Sequence, residues 1–210
     1  MKRIIHKEVE QGTPEWFALR CGNVTSSKFK DVMSSGRGTA PSQTRLTYMM
    51  ELAAQRCAGK VFEGGYSNEW MERGTMLEAQ ARAMIEFERS VEVEQVGYIS
   101  LGDEIGSSTD GLIGEDTVLE IKCPKHTTHY SYLLNPELLY KAYKHQTQGE
   151  LWVSGRDKLI LCSFHPEFNN GDDLITLEVD RDVEFIAEME EAVDLFVKEL
   201  NELEPREVSK

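Results

Sequence analysis

The chain has 210 residues and a net charge of −14 at neutral pH. This length predicts one domain with a substantial core. No apolar run reaches the roughly 18 residues of a membrane span, and the N-terminal residues lack a signal-peptide pattern. We therefore expect a cytoplasmic protein without a membrane partner. The four cysteines lack C-x-x-C spacing, which excludes the usual zinc and iron–sulfur motifs and predicts reduced thiols.

The charge is unevenly distributed along the chain. Residues 1–60 contain ten Lys and Arg against five Asp and Glu, whereas residues 172–205 contain thirteen acidic residues against two basic ones. The overall acidity argues against a nucleic-acid partner. The uneven distribution weakens that argument, because the N-terminal region carries an excess of positive charge. An acidic exterior elsewhere would also restrict nucleic-acid binding to a charged channel.

The N-terminal region predicts two short helices. Thr13 as a cap and Pro14 at the first helical position indicate a helix that ends near Arg20. A second helix is predicted over residues 28–33, which places Ser27 near its N-terminus. The free N–H groups and positive dipole of a helix N-terminus can bind a phosphate. Ordinary capping is the alternative interpretation of this segment.

A longer helix, residues 70–89, follows two predicted loops at 34–44 and 59–68, the first with Arg37 near its tip. Glu78 shares the apolar stripe of this helix, and a buried carboxylate needs a cation. Arg82 at i+4 is one candidate partner, and a metal ion shared with other carboxylates is the other.

The pattern over residues 108–124 is the most informative in the chain. A turn at 114–116 separates Asp110 from a short strand, and alternation along that strand places Glu120 and Lys122 on one face. A hairpin would bring Asp110 back beside them. Two carboxylates and a lysine on one face are suited to holding a divalent metal and positioning water against a phosphate. The alternative for E-x-K alone is a solvated strand face.

The remainder of the chain predicts a helix over residues 140–153, a strand over 158–164, and a final strand and helix. The first of these helices carries Gln146 and Gln148. The last has an inward apolar stripe, beginning at Val183, and an acidic outer face. The order of elements predicts an α/β (α+β) fold with a small mixed central sheet flanked by helices.

Five segments together resemble the lambda exonuclease type of viral recombination nuclease, the YqaJ-like group of the PD-(D/E)xK superfamily. They are W-x-x-L-R-x-G-x-V-T-x-S (16–27), G-x-x-x-E-x-x-A-R (74–82), S-x-D-G-L (108–112), L-E-I-K-C-P (119–124) and Q-x-Q-x-x-x-W (146–152). Each is weak alone, but their order and spacing are specific. Thr109 departs from the pattern, since the long-known member has proline there.

The resemblance implies a restriction-endonuclease-like core in a single nuclease domain, residues 1–210. Within it lie a basic helical region (residues 1–60), a catalytic core (residues 70–165) and an acidic strand–helix region (residues 172–205). The implied site residues fall into three groups. The metal ligands are Asp110, Glu120, Glu78 and the carbonyl of Ile121; the catalytic residues are Lys122 and its supporting Gln148, with Glu120 and Asp110; the 5′-phosphate and DNA contacts are Arg20, Ser27 and Ser108.

The implied activity is Mg²⁺-dependent removal of mononucleotides from the 5′ end of duplex DNA, which leaves 3′ single-stranded tails for recombination by strand annealing. Two Mg²⁺ ions, with Mn²⁺ as a substitute, would lie about 3.5–4 Å apart and stabilise the attacking and leaving oxygens. The resemblance further implies a homotrimeric ring around the DNA, a single-strand annealing protein as a partner, and a phage or prophage origin.

Two alternatives remain open on the sequence alone. The nearer is another PD-(D/E)xK nuclease, either a DNA endonuclease or a Cas4-like repair nuclease. An endonuclease has no need of a 5′-phosphate pocket, and Cas4-like nucleases carry a cysteine cluster that this sequence lacks. The farther is a binding module that retains only the fold, against which the intact Glu78, Asp110, Glu120 and Lys122 argue.

Overall fold

The computed structural model describes residues 1–36, 41–62, 69–168 and 171–203, with only the backbone of residues 69–73 and 75. The tip of the first predicted loop with Arg37, most of the second loop and the last residues of the acidic region lie outside these ranges. The described helices are α1 (Pro14–Arg20), α2 (Phe29–Val32), α3 (Gln43–Ala58), α4 (Glu69–Arg89), α5 (His126–Leu134), α6 (Glu137–Ser154) and α7 (Val183–Asn201). The strands are β1 (Arg3–His6), β2 (Val24–Thr25), β3 (Val93–Glu94), β4 (Tyr98–Leu101), β5 (Ile105–Ser107), β6 (Gly111–Ile113), β7 (Thr117–Lys122), β8 (Lys158–Phe164) and β9 (Leu174–Asp180).

A five-stranded mixed sheet forms the centre of the fold, in the order β3-β6-β7-β8-β9. β7 pairs antiparallel with β6 and parallel with β8. The β6–β7 hairpin turns through Gly114, whose φ of +53° lies in the left-handed region that glycine adopts without strain. The α/β class and the predicted hairpin are therefore confirmed.

Helices cover both faces of β7. Leu119 and Ile121 on one face pack in an apolar cluster with the buried stripe of α4. Val118, on the other face, belongs to the larger core that includes residues of α6 and α7. Because side chains alternate along a strand, Glu120 and Lys122 share the α6 side with Val118. A strand covered on both faces excludes the solvated-face alternative, and Glu120 is 2 % exposed.

A second sheet, in the order β1-β4-β5-β2, departs from the single small sheet expected from the sequence. Only three residues, 108–110, connect β5 in this sheet to β6 in the central sheet. The two sheets therefore meet at Ser108 and Asp110, and this junction positions the candidate site. The short strands β1 to β5 have too few alternating residues to stand out in the sequence.

The acidic C-terminal region forms β9 and α7. Asp182 caps α7 by accepting a hydrogen bond from the backbone N–H of Phe185. The predicted inward stripe is buried at Ile186, Met189, Val193, Phe196 and Leu200. Val183 departs from the prediction and is 69 % exposed, because it occupies the first helical position, outside the packed turns. Across the part of the chain that the structure describes, no helix is long and apolar enough to cross a membrane.

Candidate active site

The β6–β7 hairpin brings Asp110 beside the second half of β7. The Asp110 backbone N–H donates to the carbonyl of Leu119 at 3.1 Å, and Asp110 Oδ2 accepts from the backbone N–H of Ile121 at 2.6 Å. Lys122 Nζ lies 2.5 Å from Glu120 Oε1. The structure thus brings together the three residues that the sequence pattern placed on one face.

The two carboxylate oxygens of Glu120 differ in their hydrogen bonds to the described residues. Its Oε1 accepts hydrogen bonds from Lys122 Nζ and, at 2.6 Å, from Gln146 Nε2 on α6. Its buried Oε2 has no hydrogen-bond partner among the described residues. A buried carboxylate oxygen without a partner is unfavourable, so this oxygen is a candidate ligand atom for a cation.

Lys122 retains its proton in this environment. Burial alone would lower the pKa of its ammonium, but the negative charges of Glu120 and Asp110 raise the pKa above its ordinary value. The ammonium also lies 4.8 Å from the ring centroid of Tyr143. The nearby carboxylates and the aromatic ring both favour the charged form of Lys122.

The carboxylates repel one another. Burial, followed by the charge of Glu120, raises the pKa of Asp110 well above its usual range, and the same two causes raise the pKa of Glu78 on α4. Arg82 does not close an ion pair with Glu78 in the described structure; its Nε donates to the Asp110 carbonyl at 3.3 Å. The site therefore concentrates negative charge that a cation would relieve.

Helix α6 contributes two further residues. Gln146 Nε2 donates to Glu120 Oε1 and also, at 2.9 Å, to Glu150 Oε1. Glu150 is fully buried, and burial together with the charge of Glu120 raises its pKa well above the usual range. The sequence motifs include Gln146 without a role and do not include Glu150. The i,i+4 spacing of the two residues on an otherwise apolar helix face was the available signal.

Gln148 does not lie beside Lys122 as predicted. The resemblance implies that it supports Lys122, but its amide donates to the Asp180 carbonyl at 2.9 Å and to the Tyr140 hydroxyl at 3.2 Å, and accepts from the backbone N–H of Asp182 at 2.9 Å. Two residues along a helix rotate the side chain by about 200°, since each residue turns about 100°. Gln146 and Gln148 therefore lie on opposite sides of α6, and only Gln146 faces Glu120.

Ile121 is predicted to offer its carbonyl to a metal. Its backbone N–H is used by Asp110, and its side chain is buried against α4. Both contacts hold the β7 backbone close to the carboxylates. The role of the Ile121 carbonyl stays a prediction.

A second polar group lies at the other end of the 108–110 connection. Arg20 Nη1 donates to Ser108 Oγ at 2.9 Å, and Trp16 Nε1 donates to the same oxygen at 2.9 Å. The Arg20 guanidinium stacks over the Trp16 ring, 4.4 Å from its centroid. Burial lowers the pKa of Arg20, although an arginine remains charged at neutral pH. The structure thus joins two of the three predicted phosphate contacts.

Ser27 makes no hydrogen bond to Arg20 or Ser108 in the part of the chain that the structure describes. It stands in a 3₁₀ turn, Ser26–Lys28, so the predicted helix at 28–33 begins one residue later, at Phe29. Its exposed hydroxyl lies 3.4 Å from Thr25 Oγ1. The neighbouring Ser26 is buried and bonds Ser107 Oγ at 2.7 Å, which ties the turn to the strand that leads into Ser108.

The donor set can be judged against the needs of a divalent metal ion. Among the described residues, no three His, Cys, Asp or Glu side chains stand close enough together to hold an ion, so binding would require side chains to move. The chemistry of the set does fit. Asp110, Glu120 and Glu78 offer hard oxygen ligands of the kind Mg²⁺ prefers, and the buried Glu120 Oε2 has no hydrogen-bond partner within the described ranges.

Comparison with known protein families gives one match. The family model of the YqaJ-like viral recombinase domain matches residues 15–157. Among solved structures, the chain is similar to an alkaline exonuclease (LHK-Exo) from Laribacter hongkongensis, with 33% identity, 90% of this chain and 93% of that chain covered, and a TM-score of 0.77. The structure of LHK-Exo in complex with dAMP has 35% identity, the same coverage and a TM-score of 0.78.

A phage-related exonuclease from Haemophilus somnus 129PT shares the fold, with a TM-score of 0.71 over 86% of this chain and 94% of that chain at 16% identity. None of the curated proteins matches this sequence.

Proposed function

Since the chain belongs to the YqaJ-like viral recombinase family, we propose that it is a Mg²⁺-dependent 5′→3′ exonuclease of double-stranded DNA. It releases mononucleotides and leaves 3′ single-stranded tails for recombination by strand annealing. One observation carries this proposal. The 108–110 connection joins the Asp110, Glu120 and Lys122 group to the Arg20–Ser108 pair. The likeness to an alkaline exonuclease over nine-tenths of the chain supports it.

The carboxylates of Asp110, Glu120 and Glu78 would hold Mg²⁺, with the Ile121 carbonyl as a further oxygen ligand. When bound, the ions supply Lewis-acid stabilisation of the negative charge on the phosphate oxygens. The raised pKa values of Asp110 and Glu78 reflect burial and repulsion from the charge of Glu120, which a divalent cation would offset. Mn²⁺ has the same ligand preference and should substitute.

Lys122 positions the attacking water in this proposal. Its ammonium is held between Glu120 and the Tyr143 ring, and as a charged group it donates hydrogen bonds to water and stabilises charge on the phosphate. Gln146 keeps the Glu120 carboxylate oriented from α6. Together these residues fix the reacting groups before substrate arrives.

Arg20 and Ser108 would bind the terminal 5′-phosphate of the strand being cut. A guanidinium stacked on an indole is held in place and presents its remaining N–H groups in a planar fork that suits a phosphate. Ser27, with its exposed hydroxyl on the adjoining turn, completes the proposed pocket. A pocket beyond the scissile bond makes the enzyme act from DNA ends.

The proposed assembly and partners come from the family resemblance. We propose a homotrimeric ring that encloses the DNA, and a single-strand annealing protein that receives the 3′ tail. Size-exclusion chromatography with light scattering on the free protein tests the first. A monomer at micromolar concentration would contradict it.

The test of the proposed activity uses linear duplex DNA labelled at one 5′ end, with and without the terminal phosphate, in Mg²⁺ and in EDTA. We expect Mg²⁺-dependent release of mononucleotides from the phosphorylated end, and loss of that release in Lys122→Ala. Cuts within closed circular DNA would instead indicate an endonuclease. Absence of any cleavage by the wild type would leave a binding module.

The phosphate pocket has its own experiment. Arg20→Gln removes the charge but keeps a polar side chain next to Ser108, so degradation of 5′-phosphorylated ends should slow towards the rate on unphosphorylated ends. Arg89→Gln is the matched control, because Arg89 pairs with Glu178 on β9. If Arg20→Gln still prefers phosphorylated ends as strongly as the wild type, the pocket lies elsewhere.

A further inference from the structure

We propose that Glu150 is a positioning residue for the reaction, which holds the amide of Gln146 and through it the carboxylate of Glu120. This inference rests on the proposed function and adds to it a residue that the sequence motifs do not contain. Glu150 lies four residues after Gln146 on α6, on the face directed at β7.

The geometry uses both hydrogens of one amide group. Gln146 Nε2 donates one hydrogen bond to Glu120 Oε1 at 2.6 Å and another to Glu150 Oε1 at 2.9 Å. An NH₂ group has two hydrogens, so these two bonds fix the plane of the amide. Without Glu150, the amide is free to turn its carbonyl oxygen towards Glu120, which would replace an attraction by a repulsion.

The energetics argue against a purely structural role. Glu150 is fully buried, and its Oε2 has no hydrogen-bond partner among the described residues. A buried carboxyl group with one unpaired oxygen costs stability in either protonation state, and apolar side chains of similar size in place of buried polar or ionic groups are commonly neutral or stabilising. A contribution to the active site explains why this position holds Glu150 despite its cost in stability.

The consequence for the site concerns Glu120. With its amide fixed, Gln146 keeps Glu120 Oε1 between two donors, Lys122 Nζ and Gln146 Nε2. The other oxygen, Oε2, is then left without a hydrogen-bond partner from the described part of the chain. That oxygen is the one available to a cation. Glu150 therefore sets which carboxylate oxygen faces the reaction, although it does not itself contact the substrate.

Two variants separate positioning from folding. Glu150→Met removes the acceptor while keeping the volume, and Glu150→Gln keeps an oxygen that accepts from Gln146. For Glu150→Met we expect an unchanged or raised Tm, a KM for DNA within about twofold of the wild type, and a kcat about 10–100-fold lower, as for partners that orient metal ligands. Glu150→Gln should recover most of the lost kcat.

A double-mutant cycle tests whether Glu150 acts through Gln146. Gln146→Leu should lower kcat by itself, and adding Glu150→Met to it should have little further effect, since the mediating amide is already gone. Independent losses that multiply in the double variant would overturn the proposal. So would a Glu150→Met enzyme whose Tm falls and whose kcat falls only with the folded fraction.

A nuclear magnetic resonance measurement makes the result independent of catalysis. The side-chain NH₂ resonances of Gln146, identified by their absence in Gln146→Leu, should exchange slowly with solvent in the wild type and in Glu150→Gln, and quickly in Glu150→Met. Equal exchange in all three proteins would refute the positioning role. A wild type that is inactive on DNA but shows the expected exchange pattern would refute the nuclease and leave the positioning intact.

Discussion

Replacement of Gln148 by leucine separates what the motif suggested from what the structure shows. Gln146 and Gln148 are two residues apart on α6, yet one contacts the Glu120 carboxylate and the other joins α6 to the start of α7. Because Gln148 is fully buried and points away from Lys122, its loss should affect stability and spare the chemistry. The matched variant, Gln146→Leu, should instead reduce activity.

The magnitude follows from the bonds lost. The Gln148 amide makes three hydrogen bonds, to Tyr140, Asp180 and Asp182. At about 1 kcal/mol for each buried hydrogen bond, Gln148→Leu should lower the free energy of unfolding by about 3 kcal/mol. For a chain of this size, that corresponds to a fall in Tm of about 6–12 °C. A protein of ordinary stability stays folded at about 20 °C after this loss.

The assay combines urea unfolding with kcat for duplex DNA at about 20 °C, expressed per folded molecule. Gln148→Leu should unfold at lower urea and keep a kcat close to that of the wild type, whereas Gln146→Leu should lose at least about tenfold in kcat. The reasoning is refuted if Gln148→Leu keeps the stability of the wild type but loses its activity. That result would restore the catalytic role inferred from the motif.

Three further predictions concern packing, capping and thiol reactivity. Gly149→Ala should lower the free energy of unfolding in urea by about 1–3 kcal/mol, because the new methyl carbon would overlap the Phe29 ring. This overpacking outweighs the gain of about 1 kcal/mol in helix propensity. An unchanged urea midpoint would contradict the described packing of Gly149 against Phe29. Asp182→Ala should lose about 1 kcal/mol of cap stability at pH 7. The hydrogen bond from the backbone N–H of Phe185 lowers the pKa of Asp182, so the cap contributes fully above the unfolded value of about 3.9. That contribution disappears as the pH falls through the lower pKa of Asp182 in the folded protein. If the wild type and Asp182→Ala still differ by the full amount in free energy of unfolding at about pH 2, the ionised cap is not the cause. Cys57 is exposed and should react first with a thiol reagent. Cys162 is buried, and burial raises the pKa of its thiol, so it should react only on unfolding. Fast labelling of Cys162 in the folded protein would contradict the described core.

Much of the fold was predictable because its longer elements carry clear periodicity. The helix ending at Arg89, the β6–β7 hairpin and the buried stripe of α7 follow from apolar spacing and turn residues. The second sheet was not predictable in the same way. Its strands are two to four residues long, and their pairing depends on contacts between distant segments, such as β1 with β4.

The local pattern of the sequence determined that Glu120 and Lys122 share one face of a strand and that Asp110 returns beside them, because strand alternation and a glycine turn are properties of adjacent residues. Only the tertiary structure decided which helix face meets that strand. The rotation of about 100° per residue directs Gln146 and Glu150 to Glu120 and turns Gln148 away, but the rotation of α6 as a whole is set by its packing between the sheet and α7.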